Sequence, residues 1–91
     1  MNKNMTNEIL EILQEECAEV IQAVCKIKRF GFDGSHPITG VTNKDHLTEE
    51  VGDLIAVLAL LFDRSILDEP AVEKAAEAKV QKLKTWSNIY K

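Results

Sequence analysis

From Leu54 to Phe62 the chain reads LIAVLALLF, nine apolar residues without interruption. The spacing around this run predicts a helix from about Leu47 to Ser65, with Asp45 as a plausible cap. A helix apolar on every side must be covered on every side. The run is far shorter than the roughly 20 residues that cross a bilayer, so the cover has to be protein. A chain of 91 residues offers few other helices to supply it. Helices of a second subunit can, and a homodimer or homotetramer is therefore expected.

Two further helices are predicted, and no segment alternates as a strand does. The first runs from about Asn7 to Arg29, where Ile9, Leu13, Val20, Val24 and Ile27 recur at helical spacing. Thr6 or Asn7 can cap it. Lys26, Lys28 and Arg29 suit its C-terminal turn, and Gly31 stops it. The third begins near Pro70, carries Val72, Ala76, Val80 and Leu83 as its stripe, and ends near Trp86. Residues 30 to 45, FGFDGSHPITGVTNKD, are expected to form a loop long enough to be a binding segment or a lid. The fold class is all-α: a helical hairpin plus a C-terminal helix, assembling through subunit contacts into a helical-bundle dimer or tetramer.

The acids stand where acids cost most. On a helical wheel with Ile9 at zero, Val20, Leu13 and Val24 fall at about 20°, 40° and 60°. Glu16 falls at about 340°, inside the apolar stripe, and Glu19 at about 280°, on its edge. Glu15 falls near 240°, towards the polar side. On the second helix Glu50 and Asp53 are three apart and share a face that continues as Val57 and Leu60. A single pair of this kind is common on solvated helices. Two pairs, both at the margin of an apolar stripe and joined by one loop, are not. Four carboxylates gathered there raise one another's pKa and the cost of burial. Lysine or arginine from facing stripes can neutralise them, or a divalent metal can. An oxygen-only donor set suits Mg²⁺ or Mn²⁺. No histidine follows these acids at i+3 or i+4, which argues against a di-iron site.

Lys79 falls within the stripe of the third helix, and Lys26 lies two turns beyond Glu19 on the same side. Either can meet a phosphate oxygen as a point charge, or its stem can snorkel over apolar surface. Phe32, Ser35, His36 and Asn43 of the loop can touch a base or a sugar.

The net charge of −4 argues against binding a nucleic-acid polymer. It leaves open a small phosphorylated ligand, because a bound cation reverses the local sign. Cys17 and Cys25, eight apart on one helix, are separated by about 12 Å and cannot bridge within the chain. Both are read as reduced core thiols, and no Cys/His spacing suits zinc. Met1 to Glu8 lacks the layout of a signal peptide, and no membrane segment is present. A cytoplasmic location is expected.

Glu15-Glu16-Cys17-Ala18-Glu19, with Lys26 and Arg29-Phe30-Gly31 after it, resembles the first motif of the MazG-like, all-α NTP pyrophosphatase superfamily. Glu49-Glu50-Val51-Gly52-Asp53 resembles the second. The resemblance covers residues 8 to 62 well and the third helix loosely, and residues 1–91 are taken as one such domain. The short form with a long loop is similar to those carried by bacteriophages, which would place it in the host cytoplasm. The resemblance implies a helical dimer or tetramer and Mg²⁺ held by Glu16, Glu19, Glu50 and Asp53. It implies cleavage of a nucleoside triphosphate to the monophosphate and pyrophosphate. Thirty residues lie between Glu19 and Glu50, more than in compact members, so no base-recognising residue is carried over.

Under that mechanism Glu15 or Glu19 accepts the proton of the attacking water, while Lys26 and Lys79 stabilise developing charge. Two rival readings remain. One is a non-catalytic helical interaction module whose acids face basic residues of a partner. The other is a related hydrolase acting on phosphoribosyl-ATP.

Overall fold

The computed structural model describes residues 3–91. Three helices follow one another, α1 (Lys3–Phe30), α2 (Asn43–Asp63) and α3 (Glu69–Trp86). Among the described residues there is no strand, only an isolated antiparallel bridge between Ser35 and Thr42. No helix there is long and apolar enough to cross a membrane.

The helix starts differ from the sequence expectation. Thr6 and Asn7 lie inside α1 and do not cap it. The extra turn is held against the end of α2, where Arg64 Nη1 donates to Met5 Sδ at 3.1 Å. The cap of α2 is Thr42, not Asp45: Thr42 Oγ1 accepts the backbone N–H of Asp45 at 3.1 Å. The bridge to Ser35 already holds Thr42 extended, so helix can begin at the next residue. Asp68 caps α3 by accepting from the Ala71 N–H, and Pro70 sits in its first turn as expected. Gly31 ends α1 with a φ of 83°, a conformation glycine reaches without strain.

α1 and α2 form a hairpin, and theirs is the only extensive helix contact among the described residues. The seam follows a seven-residue spacing. Ile9, Glu16 and Ala23 face it from α1, and Asn43, Glu50 and Val57 from α2, with Leu47, Leu54 and Leu61 beside them. A seven-residue repeat keeps one narrow line of each helix against the other. The seam centres near Glu16, about 40° from the centre of the stripe read off the sequence. Ala23 is therefore buried, and Val24 is exposed. Cys17 and Cys25 are free and exposed, not core thiols. They fall at about 80° and 160° from Ile9, off the seam.

The loop between the helices closes on itself. His36 N–H donates to Val41 O and Gly40 N–H to His36 O, both at 2.9 Å, around a Gly40 φ of 74°. His36 Nδ1 accepts from the N–H groups of Ile38 and Thr39. Asn43, buried at the foot of the loop, clamps its entry. Its Nδ2 donates to Gly31 O at 2.9 Å and its backbone N–H to Gly34 O at 2.8 Å. There is no room beside that clamp: a Cβ on Gly34 would lie 2.7 Å from Phe30 O and 2.9 Å from Asn43 Nδ2. Asn43→Ala should therefore cost about 1–2 kcal/mol. Urea unfolding checks this, and an unchanged midpoint would show that the clamp carries no stability.

The protomer is a single layer. Its Cα atoms span 43 × 38 × 14 Å, and the last figure is little more than one helix diameter. The radius of gyration is 16.3 Å, against about 12 Å for a compact chain of this length. In the apolar run of α2, Val57 and Leu61 are buried while Ile55 is 60% exposed. No residue of α3 is buried; Val72, Ala76 and Val80 face outward.

Candidate active site

The hairpin register brings three of the four acids together. Carboxylate oxygens of Glu16, Glu50 and Asp53 all lie within 4.8 Å of one another. Glu16 and Glu50 project from the middle of their seven-residue rows, so their side chains are half-buried, whereas Asp53 is exposed at the edge. Glu16 Oε2 is solvent-excluded and has no hydrogen-bond partner among the described residues. An orphaned carboxylate oxygen facing two other carboxylates is costly. No lysine or arginine forms an ion pair with it among the described residues. A hard divalent cation satisfies such a donor set, and these residues fit one.

Burial raises the Glu16 pKa above its ordinary 4.5, and the charges of Asp53, Glu50, Glu19 and Glu15 raise it further. Both effects disfavour the charged form of Glu16 in the folded, metal-free chain. Because the folded pKa is the higher, the stability linked to this group is fully present below its unfolded value. It is lost as pH rises through the folded one. In EDTA, the wild type should lose stability relative to Glu16→Gln as pH rises above about 4.5. Chemical denaturation across that range tests it, and parallel curves would reject the coupling.

The structure adds a residue that the sequence reading missed. His46 Nε2 lies 3.1 Å from Glu50 Oε1. Histidine stands four residues before the acid, one turn towards the loop. The contact orients the Glu50 carboxylate. It also joins the acids to the loop, for His46 lines a cavity of about 670 Å³ between the loop and the two helices. Lys26 and Phe30 of α1, Val41 of the loop and Glu49 of α2 form other parts of its wall.

The remaining candidates are spread out. Glu19 is exposed on α1, near enough to Glu16 to act on its pKa but outside the three-acid set. Glu15 is exposed one residue from Glu16. Lys26 stands at the cavity, and Lys79 is exposed on α3, which makes no extensive contact with the hairpin. Of the loop residues, Ser35 and His36 line the cavity, while Asn43 both lines it and closes its foot.

No curated protein and no solved structure gives a significant match to the chain. A family model does, that of the MazG nucleotide pyrophosphohydrolase domain, over residues 5–88. The match runs through all three helices and takes in the acids, the loop and the cavity. The chain belongs to the MazG nucleotide pyrophosphohydrolase family.

Proposed function

We propose that the protein hydrolyses a nucleoside triphosphate to the monophosphate and pyrophosphate, with Mg²⁺ as cofactor and Mn²⁺ as a substitute. The observation that carries this is the buried, unpartnered Glu16 oxygen facing Glu50 and Asp53 in a chain of this family. Glu16, Glu50 and Asp53 would hold the cation, and Glu19, exposed beside them, would supply a fourth ligand. When bound, the cation neutralises phosphate charge and orients the leaving pyrophosphate.

The bond that breaks joins the α- and β-phosphoryl groups. Water attacks phosphorus, and its proton passes to a carboxylate oxygen of Glu15 or Glu19, the two exposed acids beside Glu16. Lys26 places a positive charge on the loop side of the acids, where the nucleotide enters. Lys79 reaches the site from α3 of a second copy.

That second copy belongs to the proposal. The chain exposes 7198 Å², against about 5,300 Å² for a compact monomer of its mass. An excess of roughly 1,900 Å² per chain, paired, falls in the range of obligate homodimer interfaces. A homodimer covers the open faces of the layer, and a homotetramer is a pair of such dimers.

The test is incubation with each of the common NTPs and dNTPs, with Mg²⁺ and with EDTA, and chromatography of the products. Monophosphate and pyrophosphate formed only with metal are expected. Diphosphate and orthophosphate, or no turnover on any nucleotide, would overturn the reading.

A further inference from the structure

The acids account for the middle of the hairpin seam, but the cavity of about 670 Å³ on their loop side has no part in holding a cation. We infer that this cavity receives the nucleoside of the substrate, with its base stacked on Phe30 and its sugar passing His46. The inference rests on the phosphate end lying at Glu16, Glu50 and Asp53, as proposed above.

Position is the first support. His46 belongs to both compartments: it contacts Glu50 and lines the cavity. The two are offset by one helical turn of α2, about 5–6 Å. A pentose bridges that step; Phe30 stands fourteen residues beyond Glu16 on α1, about 21 Å along the axis, so the base meets it with the nucleotide extended along the hairpin. The volume lies within the roughly 300–1,000 Å³ of small-molecule pockets.

The walls supply the second. Phe30 lines the cavity and is 65% exposed, although it sits at the end of a packed helix. The Arg29 guanidinium lies over its ring, 5.4 Å from the centroid. A base on the open side of the ring completes a stack of cation, phenyl and base. Pro37 and Val41 extend the apolar surface. Most of the wall's area is apolar, although several polar side chains also line it. His36 Nδ1 is spent accepting two backbone N–H groups, so the neutral ring carries its proton on Nε2 as a donor. Lys26 adds a second donor, and Glu49 an acceptor. An apolar wall with a few convergent polar groups suits a base and a sugar, not a bare pyrophosphate.

Rigidity is the third. The turn from His36 to Val41, the bridge from Ser35 to Thr42 and the Asn43 clamp fix the loop through its own hydrogen bonds. The wall exists before the ligand arrives, so little ordering opposes binding. The loop is thus a standing part of the pocket.

The test compares Phe30→Ala and Phe30→Leu with the wild type in two measurements. In steady-state kinetics on the nucleotide panel, loss of the stack should raise KM about tenfold or more for both variants. The value of kcat should stay within about threefold, because stacking serves ground and transition states alike. Inhibition by inorganic pyrophosphate with Mg²⁺ should change less than about twofold, since it uses only the acid end. A KM unmoved in both variants, or pyrophosphate inhibition weakened equally, would overturn the inference. Calorimetric binding of an α,β-methylene nucleoside triphosphate with Mg²⁺ separates it from the catalytic reading. If the wild type turns over nothing yet binds this analogue in a Phe30-dependent way, the pocket stands and the hydrolase reading falls. If the analogue does not bind, or binds both variants as tightly as the wild type, the pocket falls.

Discussion

Glu16→Leu should abolish nucleotide hydrolysis and at the same time make the metal-free protein more stable. The two effects have one cause. Glu16 occupies the middle of the Ile9, Glu16, Ala23 row, where the hairpin calls for an apolar side chain. Its carboxylate faces Glu50 and Asp53, and one of its oxygens finds no donor. Leucine removes the repulsion and fills the seam, so thermal unfolding in EDTA should shift upward. It also removes the ligand at the centre of the proposed cation site, and the rate should fall at least about a hundredfold. The rise in melting temperature that Mn²⁺ gives the wild type should vanish in the variant. Wild-type rates in Glu16→Leu would remove this residue from the site. A destabilised metal-free variant would show that the folded protein satisfies the carboxylate.

The second large effect concerns assembly. Ile55 and Ile21 are 60% and 64% exposed, and both point away from the α1–α2 seam. A layer whose thickness is little more than one helix leaves such residues to water unless another copy covers them. Ile55→Asp places a charge at the middle of that surface. The dissociation constant should rise at least about thirtyfold, the scale of a buried interface anchor. Sedimentation equilibrium at micromolar concentration should then find dimers or tetramers for the wild type and monomers for the variant. Unfolding of the wild type should depend on protein concentration, and activity should fall with assembly if Lys79 acts from a second copy. A wild type that is monomeric, with a midpoint independent of concentration, would reject the subunit reading.

The three helices, the glycine stop at Gly31 and the place of Pro70 could all be read from spacing, because each follows from contacts within a few residues. The Glu16 anomaly could be read for the same reason, since a wheel needs only one helix. His46 was equally legible, because four residues before Glu50 is one turn away on the same face. The exposure of Cys17 and Cys25 was legible in principle too, once the seam is centred on Glu16.

Other features arise between segments distant in sequence. The register of α1 against α2 selects Glu16, Glu50 and Asp53 as the close set and leaves Glu19 outside it. A wheel gives each helix's angle but not the neighbour that meets it. Thr42 displaces Asp45 as cap because Ser35, across the loop, already holds it extended. The cavity exists because a small turn closes around Gly40 and Asn43 pins its foot, a set of backbone bonds that composition does not signal. Local periodicity thus determined the helices and the misplaced acids, since helix formation and amphipathicity act over a few residues. Which acids meet, and what pocket opens beside them, was decided by helix pairing and loop closure, which act across the whole chain.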